Sequence, residues 1–559
     1  MPSEKTAGSN KPIVITSEHV YTDVRHPDRP LAIVVRDGRV DALVSREVVR
    51  ELAVEGAEVR DFGSAFVCPG FIDAHQHVLH TALFPSALAD RYGGTSEKDY
   101  VEHLRKYAAA AVGPCGAAPG GAGEGWLLCQ GWRSDLWDPP VPPTRESLDA
   151  AFGARPVACC SGDLHAIWLN SAGLAALGIR EDSEPPAGGV FERDASGRLT
   201  GVLREAASMV YTAAVFRSLP ERDLRGVYGG YFRAMLSHGV TGVCDMALCA
   251  VPGADNVRED IYEGLLASGQ LPLRVSMFPQ LIDDLSRVRD LQARCTGDWL
   301  RAPGLKQFFD GVSSAHTAWL AEPYANPRFP GDCGRPTIPA ERMRELVLGA
   351  AAEGFAVRVH AIGDKAVHEG ITIFREAFER YGEPRQGVNS LEHIENLLPG
   401  DVAALREAHL VASVQPQHVV IDVTQPDRDL GPERARDMWP FADYLAAGVP
   451  MAFGTDAPCV PPEPMQVLSC AVTREVPETR EPAGGWNPHE RIGMAEAIDA
   501  YTRGSALAAG RGGEVGTLMP GMLADVAVLD RDLMSADPEG IQDVRCLATF
   551  VGGRVAWEA

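Results

Sequence analysis

Short apolar strands alternate with Ala- and Glu-rich helical stretches through most of this chain, and few folds satisfy such a pattern. Eight strand candidates lie at 67–73, 240–246, 273–279, 304–310, 356–361, 390–394, 410–415 and 449–454. Helical patterns such as 340–353, 364–380 and 401–408 fill the intervals. Alternation of this kind builds βαβ units around a parallel sheet. From the second strand onward the interval is roughly 30 residues, the repeat of a β/α barrel unit. The expectation is an α/β chain containing a (β/α)8 TIM barrel.

One gap breaks the rhythm. Between the first and second strands an insertion of well over a hundred residues, about 80–238, holds the Gly/Pro-rich segment 113–125 and strand-like pieces at 126–130 and 156–160. A barrel tolerates a long insertion after its first strand because the loops following strands lie on the active face. The ends differ again: 13–61 and 516–557 read as short strands and turns, with hairpin-like VVRDGRV and TFVGGRV. The expected division is residues 1–66 and 511–559 forming one small β-sandwich domain from both chain ends, with the (β/α)8 barrel at 67–510. A length of 559 residues fits more than one structural unit.

The formal net charge is -24, from 76 acidic against 52 basic side chains. Nucleic acid and anionic membrane partners need a basic footprint, so neither is expected. The N-terminal residues lack an apolar secretory core, and no stretch approaches the ~18 uninterrupted apolar residues of a membrane helix. The twelve cysteines are scattered without a paired C-x-x-C arrangement. Cys68, Cys129, Cys244 and Cys546 fall in strand-like runs, and vicinal Cys159 and Cys160 read as buried strand residues. These features predict a cytoplasmic protein with reduced thiols.

The richest cluster begins at Pro69, in PGFIDAHQHVLH. His75 and His77 flank one residue, and positions two apart on a strand face one side, so both imidazoles can reach one ion. His360 ends FAVRVH, His393 ends SLEH, and Asp456 follows VPMAFG. Each stands at the C-terminal end of a different strand candidate, where barrel enzymes assemble their sites. Four imidazoles and a carboxylate suit a divalent metal, Zn²⁺ first, with Mn²⁺, Fe²⁺ or Co²⁺ as alternatives. Lys306, in GLKQFFDG, reads on its own as the partner of Asp310 or another acid.

In these motifs the chain resembles the amidohydrolase superfamily, and within it the YtcJ-like (amidohydrolase 3) branch that includes N-substituted formamide deformylases. PGFIDAHQH, LKQFFDGVSSAHTA, VRVHAIGDKAVHEGI, SLEHIEN and FGTDAPCVPPEPM are similar to that family's motifs of strands one, four, five, six and eight. SGDLHAIWLNSAGL and GRLTGVLREAA resemble two signatures of the branch's large insertion.

The resemblance implies roles. His75, His77 and Asp456 would hold one metal and His360 and His393 a second, with N6-carboxylated Lys306 bridging; the site takes one or two ions. Asp456 would take the proton of a metal-activated hydroxide's parent water and pass it to a leaving nitrogen. The implied activity is hydrolysis of a non-peptide C–N bond in a small-molecule amide, an N-substituted formamide or N-acyl amine. Cyclic amide or lactam hydrolysis, deamination, lyase or isomerase chemistry and a non-catalytic binding role are the alternatives. Substrate contact is expected from Asp163, His165 and Glu205, with Trp132, Trp137 and Trp168 walling a pocket. Gln415, Gln417 and His418 close the seventh strand and should face the site. A homodimer is expected on family grounds alone.

Overall fold

The computed structural model describes residues 11–27, 29–86, 88–110, 125–162, 165–186, 188–248 and 255–559. They divide into two compact units. The first comprises Met1–Gln76, Phe232–Met246 and Leu271–Ala559, and the second His77–Tyr231 and Ala247–Gln270.

Eight parallel strands run through the first unit: β1 (Phe71–Gln76), β2 (Val240–Met246), β3 (Arg274–Phe278), β4 (Gly304–Phe308), β5 (Ala356–Ala361), β6 (Ser390–His393), β7 (Val411–Val414) and β8 (Met451–Phe453). β1, β2 and β3 pair in order, and β4 to β8 pair in order. Single parallel bridges, Gln280 with Lys306 and Gln76 with Ala457, join the two ladders on either side. Every residue of these strands except Phe308 is buried. Burial on both faces is the condition of a parallel sheet, and it accounts for continuous apolar runs where alternation would otherwise appear.

The first of those runs misleads. The expected strand 67–73 is two strands, Phe66–Pro69 and β1, belonging to different sheets. Gly70 separates them, and a Cβ there would stand 2.2 Å from the Thr241 side chain. Phe66–Pro69 pairs antiparallel with Val526–Leu529 in a five-stranded sheet drawn from both ends of the chain. A second sheet of four strands is built from residues 13–61 alone. Ile15, Ile33 and Val35 from one sheet share a buried cluster with Val67, Val526 and Phe550 from the other. Two hairpins turn on left-handed pairs, Asp37–Gly38 and Gly552–Gly553, as their DG and GG dipeptides require.

The second unit centres on a six-stranded sheet in the order Gly189–Arg193, Leu199–Glu205, Ala166–Leu169, Val157–Ser161, Leu127–Trp132, Ala89–Arg91. Trp132, Trp137 and Trp168 belong to its core with Tyr100 and Leu148. Trp132 donates its indole N–H to the Cys159 carbonyl at 2.8 Å, so it is a packing residue and not the pocket wall expected of it. Cys159 and Cys160 are buried, and all described cysteines are free thiols. Most of 113–125, and Asp163, lie outside the described residues. Among the described residues no helix is long and apolar enough to cross a membrane.

Candidate metal centre

His75, His360 and His393 come from the C-terminal ends of β1, β5 and β6, and Asp456 and His418 from the segments after β8 and β7. The structure gathers all five. The rings of His75 and His360 lie 5.0 and 4.5 Å from that of His393. His418 runs nearly parallel to His393 at 6.0 Å. His75 Nε2 stands 3.4 Å from Asp456 Oδ1, and ligand atoms of His393, His418 and Asp456 fall within 4.8 Å of one another. His77 opens the second unit as the buried N-cap of the helix Val78–Leu83.

The backbone is bent to achieve this. In a regular strand the neighbours Glu392 and His393 would point to opposite faces. Here β6 ends in a left-handed turn, with φ of 73° at His393 and 46° at Ile394, and both side chains approach His75. Asp456 is also left-handed, at φ 58°, with its N–H donating to the His75 carbonyl at 2.7 Å. Non-glycine residues held there cost about 1–3 kcal/mol each, which the surrounding packing must offset.

Two of the imidazoles are oriented from behind. His75 Nδ1 lies 2.6 Å from Glu392 Oε2. A carboxylate only accepts, so Nδ1 carries the proton and the Nε2 lone pair faces Asp456. His393 Nδ1 donates to Gln415 Oε1 at 2.8 Å, which leaves its Nε2 as the ring's acceptor nitrogen. Glu392 is fully buried, and burial pushes its pKa up, yet Arg358 holds it well below the usual carboxylate range. Arg358 donates to both Glu392 oxygens, at 2.8 and 3.0 Å, and to the hydroxyls of Ser390 and Ser413. The chain Arg358–Glu392–His75 thus fixes one ring tautomer through three buried side chains.

Electrostatics favour ligation. Burial first, and Lys306 second, lower the pKa of His75 to about 4 and of His360 to about 3, so both rings are neutral donors at ordinary pH. His393 and His418 are shifted down by burial as well. Burial also lowers Lys306 to about 8, against the pull of Glu392 and Asp456. Its Nζ has no hydrogen-bond partner among the described residues. The plain pairing with Asp310 is therefore absent: that carboxylate accepts backbone N–H groups from Trp319, Ile362 and Gly363 at 2.8–3.0 Å.

A cavity of about 260 Å³ opens above the cluster, lined by His360, His393, His418 and Asp456 and walled by apolar groups including Ile421, Met438 and Trp439. Glu395, on the same wall, is raised to about 8 by burial and by Asp310 and Asp456. Other expected contacts stand elsewhere. His165 and Glu205 pair with each other at 3.0 Å in the second unit, and both are about half exposed. Gln417 donates to the Pro461 carbonyl. Sequence reading missed Glu392 and Arg358. The signal available was a charged residue inside each of two buried strands, Arg358 in AVRVHA and Glu392 in SLEH. His418, expected at the substrate, lines the cavity and also stands within reach of His393 and Asp456.

The similarities to known proteins run the length of the molecule. Residues 58–556 match the amidohydrolase family. YtcJ of Bacillus subtilis is 27% identical over 96% of this chain and 98% of its own. The N-substituted formamide deformylase of Arthrobacter pascens is 27% identical over 94% of this chain and 95% of its own. The crystal structure of an uncharacterized metal-dependent hydrolase from Pyrococcus horikoshii superposes with a TM-score of 0.76 at 23% identity, covering 94% of this chain and 99% of the other. With the family match spanning residues 58–556, the chain belongs to the amidohydrolase family.

Proposed function

We propose that this protein is a metal-dependent hydrolase of a non-peptide C–N bond in a small amide, with one or two divalent ions held at the ends of β1, β4, β5, β6 and β8. The two bridges between the parallel ladders are read as the seams of a closed (β/α)8 barrel. The observation that carries the proposal is a set of buried, neutral imidazoles with oriented lone pairs around one carboxylate, beside a buried lysine amine without a hydrogen-bond partner. A protein core does not leave such groups unsatisfied without a use for them.

The donor set fits a metal of the Zn²⁺ kind: His75 and Asp456 at one position, His360 and His393 at another, and His418 within reach of Asp456. Lys306 completes the set if its neutral amine adds CO₂, forming an N–C bond and losing a proton to give an anionic carbamate. A divalent ion in this place supplies Lewis acidity toward water and a carbonyl oxygen. The protein supplies the proton inventory. Asp456, acceptor-only and next to neutral rings, takes a proton from water and returns it to the departing nitrogen. The apolar walls of the cavity exclude bulk water from that exchange. The name of the Arthrobacter relative supports formamides as the first amides to try.

The test is a mass-spectrometric hydrolysis screen of N-formyl, N-acetyl and larger N-acyl amines, lactams and simple esters with metal-loaded protein, beside Asp456→Asn. We expect cleavage of a C–N bond by the wild type, and at least a thousandfold loss in the variant with part of its metal retained. Wild-type rates in the variant would remove Asp456 from the mechanism.

A further inference from the structure

Two buried polar atoms in the cavity wall take no part in the metal cluster. Asp429, 2% exposed, lines the cavity from the helix Gln425–Leu430. Its Oδ1 accepts from Asn326 Nδ2 at 2.9 Å and Arg428 Nε at 3.2 Å, while its Oδ2 has no hydrogen-bond partner among the described residues. Ser313, 5% exposed, lines the same cavity from the turn Ser313–Ala315, which packs against that helix, and its Oγ is likewise unpartnered. A buried carboxylate oxygen, which only accepts, and a buried hydroxyl, which can do either, are thus both left without partners on touching elements, and each is costly to leave so.

The charge of the wall says which donor. Of the cavity's lining residues, Glu395, Asp422, Asp429 and Asp456 are acidic and none is Lys or Arg. Asp456 belongs to the metal. Arg428, about half exposed and outside the lining, lies 3.7 Å from Asp422 and 3.2 Å from Asp429, one cation shared by two carboxylates. The same cavity is lined by Ile421, Pro426, Leu430 and Met438, which suit methylenes and not a second charge.

We propose that Asp429, assisted by Ser313, is a specificity-determining residue that receives a protonated amino group of the substrate. The substrate class is then an amide whose amine half bears a second, cationic nitrogen across a short apolar spacer. The inference rests on the hydrolase reading for the word substrate, but its binding component does not. Amides bearing a carboxylate at that position are rejected by the same residues.

The probes are N-(3-aminopropyl)formamide and its uncharged counterpart N-butylformamide, titrated calorimetrically into metal-loaded Asp456→Asn protein so that neither is consumed. The ammonium probe should bind about tenfold or more tightly than the butyl probe. Adding Asp429→Asn should abolish that preference and leave the butyl probe unchanged, which also reports that the variant is folded. Arg428→Ala, a change at a half-exposed side chain, should strengthen the ammonium probe severalfold by removing its competitor. Equal binding of the two probes, binding of neither, or a preference that survives Asp429→Asn overturns the proposal. Failure of the hydrolase reading shows separately, as wild-type protein that binds the ammonium probe and cleaves no amide.

Discussion

Glu392 illustrates how one side chain serves both the fold and the proposed metal centre. It takes two hydrogen bonds from Arg358, one from Ser390 and one from His75, all out of water. Glu392→Gln keeps the shape but leaves Arg358 as a buried charge without its counter-ion. Breaking a buried pair in this way costs about 3–5 kcal/mol, and loss of a ligand's supporting partner weakens metal binding about 10–100-fold. Urea unfolding and a chelator competition should show both. A variant within 0.5 kcal/mol of wild type, holding metal as tightly, would mean the chain is not supporting His75. Lys306 supports a pH prediction. Carboxylation consumes the neutral amine, and with the folded pKa lowered to about 8 from an ordinary 10.5, the neutral fraction grows as pH rises through 8. At fixed dissolved CO₂, recovery of metal binding by stripped protein should be about 20-fold faster at pH 8.5 than at 6.5. A rate indifferent to pH and to bicarbonate would exclude the carbamate.

At the scale of elements, the meeting of β1 and β8 sets where His75 and Asp456 stand. Gly454 follows β8, and a Cβ on it would lie 2.5 Å from the backbone nitrogen of His75. Neither strand can yield cheaply, since both are fully buried. Gly454→Ala should displace His75 from Asp456 by a fraction of an ångström and reduce turnover about 100-fold. Metal content and rate, compared with the wild type, decide it, and an undisturbed rate would show that the strands can slide. The eight strands were legible in sequence because buried parallel strands are short apolar runs, and β2 and β5 begin and end where the runs do. The Gly70 break was not, because Phe66–Pro69 and β1 are both buried and no polarity change marks their boundary. Nor was the chain's second departure, Ala247–Gln270, because the helix Glu259–Ala267 carries the amphipathic pattern of any helix covering a sheet. His75, His360, His393 and Asp456 were readable as residues at strand ends. Glu392 with His75, and Gln415 with His393, are pairs 317 and 22 positions apart, which one sequence cannot join.

For the whole molecule the governing quantity is charge. With 52 basic against 76 acidic side chains, a formal excess of 24 negative charges remains however the ion pairs are drawn. Salt acts on both populations, in opposite directions. It weakens exposed ion pairs, but those are worth only about 0–1 kcal/mol each, and many contribute nothing measurable. It also screens repulsion among the excess acids, which is felt over the Debye length, about 30 Å at 0.01 M ionic strength and about 8 Å at 0.15 M. Repulsion among unpaired like charges penalises the compact state more than the expanded chain. The excess should win, so raising NaCl from 0.01 to 0.15 M should raise the melting temperature by about 2 °C. The same screening should slow capture of the ammonium probe while leaving the butyl probe untouched, because only the charged probe feels the field of the protein. A melting temperature that falls with salt would show that organised ion pairs, and not the surplus of acid, dominate the electrostatics of this chain.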